Sequence, residues 1–225
     1  MRMRRKRQLT SRIENCEHLL VHEPKELRGR WLDEFEFNEL HIELGCGKGL
    51  FTVETAKREP DVLYVGLEKV SNVLVVALER TEQEEPKNVR FLNKLADYLT
   101  SYFAPGEVSR IYINFCDPWP ANRHKKRRLT GPLFLEMYKQ VLCSGGEIHF
   151  KTDDLPLFEF SLGEFESFGF ALSEVSYNLH ENEPVGVMTD YEVKFHELGT
   201  PIHRCVAIMK KTSCEGVTVQ TPTTR

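Results

Sequence analysis

The chain has 225 residues, 40% of them hydrophobic and 28% charged, with a formal net charge of −4, which suits one buried core and therefore a single domain. The longest aliphatic run, Val73 to Leu78, falls far short of the ~20 residues a bilayer span needs, and no apolar stretch of signal-peptide kind follows the charged start MRMRRKRQLT. Six cysteines without a CxxC pair fit reduced thiols, no metal site and a cytoplasmic location.

Taken in chain order, the first feature is a basic arm, residues 1–20, in which Arg2, Arg4, Arg5, Lys6, Arg7 and Arg12 occur with no acid before Arg12. Apolar runs of strand length then alternate with helical patterns. Strands are predicted at Leu40–Leu44, Val62–Leu67, Val89–Leu92, Arg110–Phe115, Glu147–Lys151, Phe170–Leu179 and Arg204–Met209. Helices are predicted at Gly49–Arg58, Val70–Glu84, Gly131–Val141 and Leu157–Ser167, where apolar residues recur every three or four positions. This alternation is that of an α/β domain, residues 21–211, with a mostly parallel sheet and helices on both faces. The last two strands follow each other across a polar, loop-like stretch, which predicts an antiparallel edge. Residues 212–225 form a Thr-rich tail without apolar period.

Two places along this frame point to chemistry. The first strand ends in Glu43-Leu-Gly45-Cys-Gly47-Lys-Gly49, a glycine turn that opens a helix and lets backbone approach a nucleotide-like ligand. The third glycine of a dinucleotide fingerprint is missing, since Leu50 stands in its place, which disfavours NAD. Glu68 follows the second strand, where a carboxylate can accept both hydroxyls of a ribose. Glu43, just before the turn, can hold a cationic amino group. Together these imply an adenosine-bearing ligand without a pyrophosphate, against the plainer alternative of a structural turn.

The second place is Asn114-Phe-Cys-Asp-Pro-Trp-Pro120 after the fourth strand. Two prolines around a tryptophan stiffen the loop and display Asp117 and Trp119 at the carboxyl end of a central strand, where open α/β sheets bind ligands. A second basic run follows, with Arg123, Lys125, Lys126, Arg127 and Arg128. The other 19 basic residues stand against all 34 acids, so outside the two basic runs the chain is 15 negative. An acidic body with two basic patches suits a local polyanion contact, unless each run is simply a solvated face. His18 and His22 share a helical spacing but lack a third ligand, so no metal is assigned. Asp153 and Asp154 are, as residues, equally readable as a cap for the helix that follows.

The phrases ELGCGKG, LEK, DPWP with RHKKRRLT, FKTD and TDYE, in this order from about Leu40 to Met209, resemble the bacterial tRNA (guanine-N7)-methyltransferases. The resemblance implies the Rossmann-like class I methyltransferase fold with seven strands, S-adenosyl-L-methionine as cofactor, and tRNA as partner with guanosine 46 of its variable loop as target. It places Glu43, Gly45, Gly47, Glu68, Leu95 and Asp117 at the cofactor, with Asp117 also in the catalytic position. It places Ala121, Arg123, Asp153, Thr189, Asp190, Tyr191 and Glu192 at the target nucleotide. Leu95 stands where the family has an acid, and Ala121 where it has lysine. Asp97 or the backbone at Leu95 and Ala96 can stand in for the first, and Arg123 or Lys125 for the second. A methyltransferase of another substrate and a non-catalytic RNA-binding protein on the same fold are the competing readings. Monomer and homodimer are both compatible with the sequence.

Overall fold

A computed structural model describes residues 7–183 and 185–210. Arg2 to Lys6 of the basic arm and residues 212–225 lie outside the described residues. The chain runs α1 (Leu9–Glu14), α2 (Trp31–Phe35), β1 (Glu39–Leu44), α3 (Leu50–Arg58), β2 (Val62–Leu67), α4 (Ser71–Glu84), β3 (Val89–Leu92), α5 (Leu99–Tyr102), β4 (Val108–Asn114), α6 (Pro132–Val141), β5 (Leu142–Thr152), α7 (Leu155–Ser167), β6 (Ala171–Ser176), α8 (Asp190–Glu197) and β7 (His203–Ile208). The strands form one sheet in the order β3-β2-β1-β4-β5-β7-β6. Strands β1 to β5 pair in parallel. β7 is antiparallel to both neighbours and lies between β5 and the edge strand β6.

Side chains on successive strand residues alternate between the faces, and here the two faces differ in chemistry. On one face Leu40, Ile42, Leu44, Ile111, Ile113, Ile148 and Phe150 pack with Trp31 of α2, Leu135 and Tyr138 of α6, and Phe158 and Phe165 of α7 into the main core. On the other face Tyr64, Tyr112 and Phe91 meet Phe51 of α3 and Leu74 and Leu78 of α4, and the polar residues His41, Glu43, Asn114 and Lys151 are buried among them. Gly49 lets the α3 and α4 helices approach closely: a Cβ there would sit 2.7 Å from that of Ala77.

The basic arm is folded from Leu9 onward. Arg12 makes a two-pronged ion pair with Glu79 of α4, at 2.5 and 2.6 Å, and Cys16 and Leu19 are buried against the α4 side of the sheet. The stretch between β6 and β7, expected as loop, contains α8. Thr189 accepts the amide of Glu192 at 2.9 Å and the Glu192 carboxylate accepts the amide of Thr189 at 3.1 Å. This is a capping box, and its Thr-x-x-Glu spacing is visible in the sequence. Strand Phe170–Leu179 is shorter than expected, ending at Ser176.

Candidate active site

A cavity of about 600 Å³ opens at the carboxyl ends of β1, β2 and β4, where the strand order reverses direction between β1 and β4. Its volume is typical of a small-molecule site. Leu44 and Gly45 form its floor, Leu67, Glu68 and Lys69 one wall, Lys94 to Asp97 the rim beyond β3, and Asn114 to Asp117 with Trp119 the opposite wall. Lys126 and Arg127 close it from the basic run.

The glycine turn is tied to β2. The amides of Gly45 and Cys46 both donate to the carbonyl of Leu67, at 2.8 and 3.0 Å. Two N–H groups that a phosphate loop would aim at its ligand are thus already spent, in keeping with a ligand that has no pyrophosphate. Gly45 and Gly47 both have positive φ, 77° and 59°, a conformation that glycine adopts without strain. Glu68 is half-buried in the wall. One of its carboxylate oxygens accepts the amide of Val70 at 2.8 Å, and its carbonyl accepts from Asn93 at 2.7 Å, which orients the group.

Glu43 behaves differently from Glu68. It is buried beneath the turn and does not line the cavity. Its carboxylate accepts the hydroxyl of Thr52 on one oxygen and the amide Nδ2 of Asn114 on the other, the latter at 2.9 Å. Burial pushes its carboxyl above the usual range, while the two donors and the charge of Lys151 pull it back down. Asn114 does line the cavity, and in the sequence it stands out only as the first residue of the proline segment. Its partner Glu43 was the visible signal.

Rim residue Leu95, 44% exposed, lies beside Ala96 and Asp97 in the cavity lining. The residues expected to stand in for the missing acid thus line the same rim. Across the cavity, Asp117 is exposed. The loop that carries it is bent at two residues of positive φ, Phe115 at 53° and Trp119 at 43°, each a strain on the order of 1–3 kcal/mol that persists only where the surroundings enforce it. Arg128 does so. Its guanidinium donates to the carbonyls of Pro118 and Trp119 at 3.0 and 3.2 Å and lies 4.3 Å from the ring centroid of Phe160. Arg128 is consequently buried. Of the basic run it is a brace, while Arg123, Lys125, Lys126 and Arg127 are exposed. Arg127 stacks on Trp119 at 4.8 Å, and the Nε of Arg123 bonds His124 at 3.2 Å. Ala121 caps the 3₁₀ turn Asn122–Arg127 and contributes no side-chain donor there. Cys116 also lines the cavity, but burial and the charge of Asp117 push its thiol up to about 12, so it remains protonated and serves as packing.

The remaining expected residues divide. Asp154, not Asp153, caps α7, accepting the amide of Leu157 at 2.7 Å. Asp153 is half-buried and its charge helps raise the phenol of Tyr191, after the larger effect of desolvation. The Tyr191 ring, 47% exposed, lies 5.3 Å from that of Phe115 in the cavity wall and stacks on Phe195. Asp190 is held by Arg80 of α4 at 3.0 and 3.1 Å, and Thr189 by the capping box. Glu192, expected at the target nucleotide, is fully buried and meets Lys151 at 2.9 Å and His180 at 2.8 Å. It faces the interior because the Thr189 amide, the Lys151 ammonium and the His180 ring all converge on it. Among the described residues no group of three metal-ligating side chains is placed to hold an ion, and no helix is long and apolar enough to cross a membrane.

The cavity fits S-adenosylmethionine. Glu68 suits the ribose, Leu44, Leu67, Leu95 and Ala96 offer apolar surface to the adenine, and a buried acceptor, Asn114 Oδ1, has no partner among the described residues. A family model for methyltransferases matches residues 38–205. Curated proteins named tRNA (guanine-N(7)-)-methyltransferase from Bacillus velezensis and Bacillus subtilis are each 45% identical, over 91% of this chain and 95% and 97% of theirs. One from Bacillus licheniformis is 46% identical over 92% of this chain and 98% of its own. Among solved structures, the 16S rRNA methyltransferase KamB superposes with a TM-score of 0.63 at 13% identity, covering 80% of this chain and 92% of its own, a likeness of fold. The chain belongs to the tRNA (guanine-N7)-methyltransferase family, enzymes that use S-adenosylmethionine as methyl donor on the class I fold.

Proposed function

We propose that the protein methylates N7 of guanosine 46 in the variable loop of tRNA, leaving 7-methylguanosine, and that it does so in the cytoplasm, where its substrate is. The observation that carries this reading is the wall of the cavity: a ligand-sized space is closed by Asp117, Trp119, Lys126 and Arg127, so a cofactor and a nucleic-acid backbone would meet across one rigid loop.

Guanine N7 is a lone pair without a proton, so no general base is needed. The bound cofactor supplies an activated methyl group on a sulfonium. The chain's own residues have to align N7 with it and to stabilise the positive charge that grows on the imidazole ring. Asp117, exposed in the cavity wall and carried on a loop braced by Arg128, is the group assigned to that charge. Asp153 is assigned to the polar edge of the base. Tyr191, beside Phe115, offers an aromatic face for an unstacked base, since the A-form major groove is too narrow for readout within a helix. Arg123 and Lys125 take backbone phosphates, with Ala121 passive, and Arg127 keeps Trp119 in place. Of the TDYE segment, Thr189, Asp190 and Glu192 hold α8 so that Tyr191 faces the site.

The test is transfer of radiolabelled methyl from S-adenosylmethionine to unmodified tRNA transcripts, with and without a guanosine-to-adenosine change at position 46. Label on the first transcript only is the expected outcome. Equal label on both places the target elsewhere, and none on either overturns the reading.

A further inference from the structure

Asn114 Oδ1 is a buried acceptor without a partner among the described residues, in a side chain 8% exposed that lines the cavity. An amide oxygen shut away from water and left unpaired is costly, and such groups are rare in folded proteins. Its orientation is set from behind. Nδ2 is committed to Glu43 at 2.9 Å, and the other Glu43 oxygen is taken by the Thr52 hydroxyl. The oxygen of the amide, not its nitrogen, is therefore the atom left to bond, and a ligand group that meets it must be a donor.

The sheet order says which donor. Glu68 and the rim from Lys94 to Asp97 follow β2 and β3, while Asn114 ends β4 on the far side of β1. A ligand whose ribose is held by Glu68 and whose adenine lies by Leu95 must extend across β1, so its amino-acid end arrives at β4. On this basis, which rests on the cofactor reading above, we propose that Asn114 Oδ1 accepts a hydrogen bond from the ammonium of the methionine moiety. Glu43 then acts on the ligand as a positioning residue, through Asn114, without touching it. This accounts for a carboxylate that occupies the expected cofactor position in the sequence and yet lies beneath the cavity floor.

The experiment is calorimetric titration of the full chain with S-adenosylmethionine, with S-adenosylhomocysteine and with the analogue of the latter that lacks only the amino group. In the wild type, S-adenosylhomocysteine should bind at least tenfold tighter than its deaminated analogue. A ratio near one overturns the proposal without any variant. Asn114→Leu should weaken both amino-bearing ligands by about 10–100-fold, the worth of a hydrogen bond to a charged group. It should leave the analogue within about twofold. That unchanged affinity also reports an intact fold. An equal loss for all three ligands overturns the assignment, as does no loss. Glu43→Gln keeps an oxygen facing Nδ2 and should cost less than about threefold. A loss as large as that of Asn114→Leu means that Glu43 meets the ammonium itself. If the wild type binds neither amino-bearing ligand, the cofactor reading fails first and this inference falls with it.

Discussion

Residues 114–129 and residues 189–192 are the two most distinctive stretches of the sequence, and both lie near the cavity. The first turns its functional side chains outward: Asp117, Trp119, Lys126 and Arg127 line the cavity, and a single buried arginine, Arg128, braces the loop from behind. The second does the reverse. Thr189 and Glu192 are consumed by a capping box, Asp190 by Arg80, and only Tyr191 shows a face to the cavity side. A chain segment can thus be specified as tightly for holding as for touching. The side chain's burial and the destination of its hydrogen bonds tell the two apart.

The contrast breaks most visibly at Glu192. Its two oxygens receive Lys151 Nζ, His180 Nε2 and the Thr189 amide, and Lys151 is itself buried, with desolvation pulling its ammonium below the usual lysine range. Glu192→Ala leaves a buried cation without its partner and should cost about 3–5 kcal/mol of stability, read as the shift in urea denaturation. Glu192→Leu combined with Lys151→Met removes both charges and should recover most of that loss. A single variant within about 1 kcal/mol of wild type would return Glu192 to the substrate side of the comparison.

Asp117 should give the opposite pattern. It has no structural bond that the fold relies on among those described, so Asp117→Ala should leave the denaturation midpoint unchanged while turnover falls about 100–1,000-fold, the range for a group that stabilises developing charge. Affinity for tRNA should move by less than about twofold, because charge on the base appears only as the methyl arrives. Normal turnover would remove Asp117 from the catalytic position.

The fold was largely legible because its signals are periodic. All seven strands and the four long helices lie where apolar spacing predicts them, and the glycine turn and the proline segment mark the carboxyl ends at which the cavity forms. What was not legible depends on direction. Sequence places Glu43 beside a ligand loop, but only the strand's alternation, with Leu40, Ile42 and Leu44 on the other face, sends its carboxylate under the floor to Asn114. Likewise a basic run reads as one patch, and nothing in its charge separates buried Arg128 from its exposed neighbours. The helix α8 was missed for a different reason. Its capping box was present as Thr189-x-x-Glu192, but the one side chain it buries is the charged Glu192, so no apolar face marks the helix.

The smallest effect sharpens the comparison inside the basic run itself. If Arg123 contacts a phosphate, Arg123→Ala should reduce the slope of log binding constant against log salt for tRNA by about 1, with affinity falling alike for all accepted tRNAs. Arg128→Ala should behave as a fold variant. The carbonyls of Pro118 and Trp119 lose their donor and the positive φ at Trp119 loses its brace, so the denaturation midpoint falls while the salt slope for any remaining folded protein stays put. Filter binding of labelled tRNA between about 50 and 200 mM salt reads both variants. Equal slope changes for the two arginines would mean that the guanidinium of Arg128 reaches the RNA after all, and that the loop is held by its prolines alone.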